Sequence, residues 1–232
     1  MTVADVFKNI TPEIRKEMET IWFTADLHSG HPKIVDICNR PVYIPKAQLD
    51  QFSEEERTIK NKEYRRLLNL LHDEWLVKEV FNKYVQKRDT VFILGDLSMA
   101  KRVEAEKFID RLNGNKFLIT GNHDNNIDTS TRFAQITQIK TFRFKRPGID
   151  IYIELCHYPM GSWNRKVHGA WHLYGHVHGR YKQDGLALDV GIDNSEIGWR
   201  PINLYEIAEI MLEKEKNLDL TQLKGVDYTG ID

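Results

Sequence analysis

A chain of 232 residues, 41% hydrophobic and 10% aromatic, is long enough for one domain with a sizeable core. Its 33 basic and 34 acidic residues leave a net charge of −1, which excludes the global positive field that steers proteins onto long duplex DNA. Two cysteines, Cys38 and Cys156, exclude a disulfide scaffold. A reduced, cytoplasmic setting is expected, with no apolar leader and no membrane span.

In chain order, residues 20–25 read as a strand that delivers Asp26 and His28 to its C-terminal edge. Residues 34–38 read as a short helix stopped at Arg40-Pro41, because the residue before proline avoids the α region. Ser53 ahead of Glu54, Glu55 and Glu56 predicts a helix N-terminus, with helix continuing to Leu71. Residues 73–87 predict a second helix, with Leu76, Val80, Phe81 and Tyr84 at helical spacing. Residues 90–94 read as a buried strand, 103–112 as a helix ended by Asn113-Gly114, and 116–120 as the next strand. The texture then turns to strand, at 136–144, 149–157, 170–174, 186–190 and 202–205. A helix over 206–216 and a polar tail follow. The first half is βαβ-like and the second closer to antiparallel, which predicts two face-to-face sheets flanked by helices.

Five clusters follow apolar, β-branched runs, where strands end and loops begin. They are Asp26-Leu27-His28, Gly95-Asp96, Gly121-Asn122-His123-Asp124, Cys156-His157 and Gly175-His176-Val177-His178. Two carboxylates, an Asn carbonyl and four or five imidazoles are enough to hold two divalent cations. Hard oxygens mixed with borderline nitrogens suit Mn, Fe, Zn or Ni. Asp96 at a strand end is a natural bridging ligand, since each carboxylate oxygen can take one cation. Two cations about 3.5–4 Å apart can clamp a phosphate and share a hydroxide aimed at phosphorus. His123 would then face the substrate, to stabilise charge or protonate the leaving oxygen, with Asp124 orienting its ring.

This series of motifs resembles the calcineurin-like metallophosphoesterase superfamily, over residues from about 20 to 205. The resemblance implies an α/β, four-layer αββα sandwich and hydrolysis of phosphomonoesters or phosphodiesters. It implies one metal on Asp26, His28, Asp96 and His178, and a second on Asp96, Asn122, His157 and His176. His123 matches the family's catalytic histidine. Phe23 to Pro41, with His31 and Asn39-Arg40-Pro41, is similar to a small bacterial and phage-type subgroup. So is Leu188-Asp189-Val190-Gly191, continuing to Asp193 and Arg200-Pro201. Two divalent ions are implied, Mn first, with Fe, Ni, Zn or Mg as alternatives.

A single domain over 1–232 is expected, with a helical insertion around 45–88 that would serve as a lid or a dimer interface. Arg40 and His31 are candidate substrate contacts, Arg40 as a bidentate phosphate clamp. His72 reads as structural, His168 and His172 as solvent or packing residues, and Cys156 as an inert buried thiol. Trp163 with Asn164-Arg165-Lys166 reads as a solvated charge run before a nucleotide platform. The expected partner is a phosphate ester, a diester ahead of a monoester, borne by a nucleotide or nucleic-acid end. The alternative is a non-catalytic scaffold that binds metal and uses the helical insertion to bind a partner.

Overall fold

The computed structural model of the protein describes residues 2–217. Two short helices come first, α1 (Val3–Lys8) and α2 (Pro12–Met18). Thr2 caps α1 in a capping box with Asp5, and Thr11 caps α2 ahead of Pro12. These cap signals stand in the sequence, yet neither helix was expected from it.

The first sheet has five strands in the order β4-β3-β2-β1-β9. They are β1 (Ile21–Thr24), β2 (Thr90–Leu94), β3 (Asn115–Ile119), β4 (Gln135–Thr137) and β9 (Ile202–Asn203). β1 to β4 run parallel, and β9 closes the β1 edge antiparallel. The second sheet is β5 (Ile139–Arg146), β6 (Ile149–Cys156), β7 (Trp171–Tyr174) and β8 (Ala187–Asp189), in that order. There β5 pairs antiparallel with β6, and the other pairs are parallel. Two mixed sheets flanked by helices are the expected α/β sandwich.

The expected strand over 136–144 is two strands. The chain leaves the first sheet after Thr137 and enters the second at Ile139. Continuous β propensity conceals such a crossing.

Strand alternation explains how both faces of the first sheet are used. Phe92 and Leu94 point into a cluster with Ile153, Leu155 and Leu173 of the second sheet. Phe142 of β5 lies against Phe92 and Phe23, with ring centroids 5.0 and 6.1 Å apart. Val91 and Ile93 face the other way, onto α6 (Arg102–Asp110) and the helix before β2. α7 (Leu204–Asn217) joins the inter-sheet cluster through Ile207, Ala208 and Met211. The strand expected at 202–205 therefore gives way to helix at Leu204, and the tail beyond Asn217 lies outside the described residues.

Between β1 and β2 lie α3 (Lys33–Ile37), α4 (Lys46–Leu49) and α5 (Lys62–Trp75), the last running into a π-helical turn at Leu76–Phe81. The helix expected from Ser53 does not form there. Glu56 accepts the Ser53 N–H and holds a local turn, and Asn61 supplies the real cap to Glu63 and Tyr64. Nor is there a break near His72, since no Gly or Pro interrupts 62–81. Leu76, Val77, Val80 and Phe81 are buried against the first sheet. Within the expected insertion around 45–88, the Leu76–Phe81 turn thus packs as core.

Candidate metal centre

The five motif loops meet at the C-terminal ends of β1, β2, β3, β6 and β7. The loop after β1 is hydrogen-bonded to the loop after β2: Asp26 N–H donates to Gly95 O, His28 N–H to Asp96 O and Ser29 N–H to Leu97 O. This pairing holds an unusual backbone. Asp26, His28, Asp96, His176 and His178 all have φ between 50° and 71°, a left-handed region that costs non-glycine residues about 1–3 kcal/mol each. Five such residues at one sheet edge mark a site where side-chain placement outweighs backbone comfort.

The side chains form two groups around Asp96. Its Oδ2 lies 3.6 Å from His28 Nε2 and 3.5 Å from His157 Nε2. Asp26, His28 and His178 have donor atoms within 4.8 Å of one another, and so do Asp96, His157 and His176. Asn122 brings Oδ1 to 3.3 Å from His157 Nε2. His157 is oriented by Nδ1, which donates to Leu94 O at 2.8 Å and so leaves Nε2 facing Asp96 and Asn122. His178 is oriented by Asp193, whose Oδ2 lies 2.6 Å from Nδ1.

The donors fit divalent cations, because the cluster is unsatisfied without them. Both ring nitrogens of His28 are buried with no hydrogen-bond partner. Burial drives the His28 imidazole down to about 2 and the Asp26 carboxyl up to about 7, so both resist charge. Burial also opposes charge on Asp96, yet the hydrogen bond from His157 prevails and holds its carboxyl at about 2. For His157, burial pushes down and Asp96 pushes up, with a net rise. For His178, burial pushes down, but Asp193 and Cys38 raise it to about 10.

Two glycines give the cluster its tightness. A Cβ on Gly121 would collide with Asp96 Oδ1, and one on Gly175 would sit 2.7 Å from Asp26 Oδ2. Only glycine lets those backbones approach the carboxylates so closely.

Around this centre, several side chains do something other than what their residue types suggest. Arg40, expected to clamp substrate, has a side chain with no exposed surface. It donates to Asp26 O at 2.6 Å, Leu27 O at 2.7 Å, His72 Nε2 at 2.9 Å and both oxygens of Asp193. Its guanidinium therefore positions the Asp26–His28 loop and, through Asp193, His178. Asp124, expected to orient His123, is fully buried and accepts N–H bonds from Asp96, Leu97 and Gly121. It ties two ligand loops together and makes no bond to the His123 ring. His123 itself is 40% exposed at the mouth, its Nε2 3.9 Å from Asp96 Oδ2. His31 is half-buried, with its ring centroid 5.7 Å from that of His28.

Tyr158 and Cys38 went unread as site residues in the sequence, whereas His72 is buried, in line with its structural reading, and Asp193 stands at the site in the stretch similar to the subgroup. The exposed Tyr158 packs on His157 and His176, its hydroxyl 3.5 Å from Asn122 Oδ1. Cys38 Sγ lies 3.6 Å from His178 Nδ1. Tyr158 follows a ligand directly in sequence, which was the available signal. Trp163 is buried, with its indole N–H on Ala170 O, so it offers no platform to a nucleotide. Cys156 is buried and its thiol is pushed up by burial, as an inert cysteine should be. His172 is buried and hydrogen-bonded to backbone, a packing residue.

Among the described residues no helix is long and apolar enough to cross a membrane. A sequence model described as calcineurin-like phosphoesterase matches residues 19–182. An uncharacterised protein of Methanocaldococcus jannaschii is 25% identical over 86% of this chain and 94% of its own. The gene 66 protein of Mycobacterium phage L5 is 34% identical over 46% of this chain and 41% of its own. Its counterpart from Mycobacterium phage D29 is 24% identical over 87% of this chain and 100% of its own. The crystal structure of a protein of unknown function from Aquifex aeolicus shares the fold. Its TM-score is 0.51 at 18% identity, covering 82% of this chain and 98% of that one.

Proposed function

The chain belongs to the calcineurin-like phosphoesterase family and is a metal-dependent phosphoesterase, and on that premise we propose that it hydrolyses phosphodiesters at a dinuclear centre. The observation that carries this reading is Asp96 Oδ2, nearly equidistant from His28 Nε2 and His157 Nε2. One carboxylate so placed serves two ions. Asp26, His28, Asp96 and His178 would hold the first ion, and Asp96, Asn122, His157 and His176 the second. When bound, such ions supply Lewis acidity and an activated water for attack on phosphorus.

The protein's own groups supply the rest. Asp193 and Leu94 O fix the rings of His178 and His157, so no reorganisation accompanies reaction. His123 hangs at the open mouth, where its imidazole stabilises charge on the phosphoryl oxygens and protonates the departing alkoxide at Nε2. His31 packs beside His28 and Tyr158 beside His176 at the same mouth, where both would meet the ester. A diester is favoured over a monoester, and a nucleotide or nucleic-acid end is the substrate class. Mn is the first choice of metal, because imidazole nitrogens mixed with carboxylate oxygens suit it.

Metal-stripped protein reconstituted separately with Mn, Ni, Mg and Zn tests this on bis-p-nitrophenyl phosphate and p-nitrophenyl phosphate. The expected result is Mn-dependent cleavage, faster on the diester and lost in His123→Ala. Faster monoester cleavage would overturn the diester preference. Two bound ions without turnover on either ester would return the chain to the scaffold reading.

A further inference from the structure

An open groove of about 370 Å³ lies between the Gly30–Pro32 loop, which follows His28, and α5. One wall is Gly30 and Pro32, the neighbours of His31 on the loop that carries His28. The other is the face of α5 formed by Lys62, Arg65, Arg66 and Asn69. These positions follow helical spacing, so they lie on one side of the helix. The same side continues to Asp73, whose Oδ1 accepts the Gly30 N–H at 3.2 Å, and this contact fixes the groove to the active-site loop. From Lys62 to Asp73 the helix rises about 16 Å, at about 1.5 Å per residue.

The charge of this groove is one-sided. Glu63 is its only acid among the lining residues, against three cations. Lys62, Arg65 and Arg66 are all exposed. Ion pairs elsewhere on the surface are abundant, as between Glu74 and both Lys78 and Arg111, yet these three cations join none among the described residues. Lys33 adds positive charge beside His31. In a chain of net charge −1, these three cations make a local positive patch beside the loop that carries His31.

We propose that this groove, between the Gly30–Pro32 loop and α5, binds the single-stranded nucleic acid that flanks the scissile phosphodiester. Lys62, Arg65 and Arg66 pair with its phosphates. The inference rests on the phosphodiesterase reading for catalysis but not for binding, and the two are measured separately. Three phosphate contacts on a single strand predict a log–log salt slope of about −2, from roughly −0.7 per contact. Affinity then falls about 18-fold between 50 and 200 mM salt.

The test compares wild type with Arg65→Ala/Arg66→Ala and with Arg66→Glu. Anisotropy of a labelled ten-nucleotide single strand on metal-free protein reads binding alone. The ratio of kcat/KM for that strand to kcat/KM for bis-p-nitrophenyl phosphate reads the groove's share in turnover. The double variant is expected to bind at least tenfold more weakly at 50 mM salt, with its salt slope reduced by about 1.4. The turnover ratio should fall in proportion. Arg66→Glu should weaken binding further than loss of that one charge. Unchanged affinity and slope in both variants would overturn the proposal, as would equal weakening of ATP and the strand, which marks a polyphosphate pocket instead. Strand binding that responds as expected, on a protein without diesterase activity, would keep the groove and sink the catalytic reading.

Discussion

At the residue scale, His123 and Asp124 are neighbours with opposite jobs. His123 stands half in solvent above the shared Asp96 oxygen, whereas Asp124 is buried under three backbone N–H groups. His123→Ala should cut kcat by about 10²–10⁴ while both ions remain bound, read by steady-state kinetics alongside metal analysis. Asp124→Ala should instead lower unfolding free energy by at least about 2 kcal/mol, since it leaves buried donors unpaired. Urea denaturation measures that loss, and a variant of wild-type stability would contradict it. Arg40 gives the third case. Arg40→Lys keeps the charge but loses the planar fork that reaches Asp193, Asp26 O and Leu27 O together. Its metal affinity should drop about 10–100-fold, as expected for a group that orients ligands, with substrate KM little altered once metal is saturating. A raised KM at full metal occupancy would mean that Arg40 touches substrate after all.

The element scale is set by α5, which leads into the turn that covers the first sheet, frames the groove and holds the Gly30 loop. That hold depends on pH through Asp73. Burial raises its carboxyl from 3.8 to about 6. The folded state therefore binds a proton more tightly than the unfolded state, and this contribution is lost as pH rises from about 4 through 6. Asp73→Asn removes the slope and keeps an acceptor for Gly30. It should match wild type near pH 4 and exceed it at pH 7 by up to about 3 kcal/mol, from two pKa units. Equal stability at both pH values would show that Asp73 titrates normally. The sequence was most legible at this scale where apolar runs are short and flanked by glycine, as in β2 and β3. It was least legible where local signals compete. Ser53 carries a good cap with acidic followers, but Glu56 closes a turn on it and Asn61 restarts the helix. The crossing at Gln138 carries no breaker at all, because only tertiary packing tells one sheet from the other.

Across the whole molecule, the loops that end five strands converge on one edge, and that convergence makes a centre out of scattered motifs. Every residue of the anticipated ligand set lies there, since strand ends and glycines are local features. What their order could not reveal is the buried scaffold behind them, Arg40 bonded to Asp193 and His72, because a charged residue before proline looks like a surface turn. A centre this unsatisfied should be stabilised by metal: at 100 times its Kd, one ion adds about 2.7 kcal/mol, seen as a rise in Tm that a chelator reverses. A Tm indifferent to Mn would mean that the cluster is satisfied by protons alone. The most direct measurement is a metal titration of stripped wild-type protein and Asp96→Ala, with bound Mn counted per chain by mass spectrometry. Two ions in wild type, with both weakened in the variant, are predicted from one carboxylate shared by two ligand sets. One ion in wild type, or loss of a single ion in the variant while the other binds undiminished, would contradict a centre bridged by Asp96.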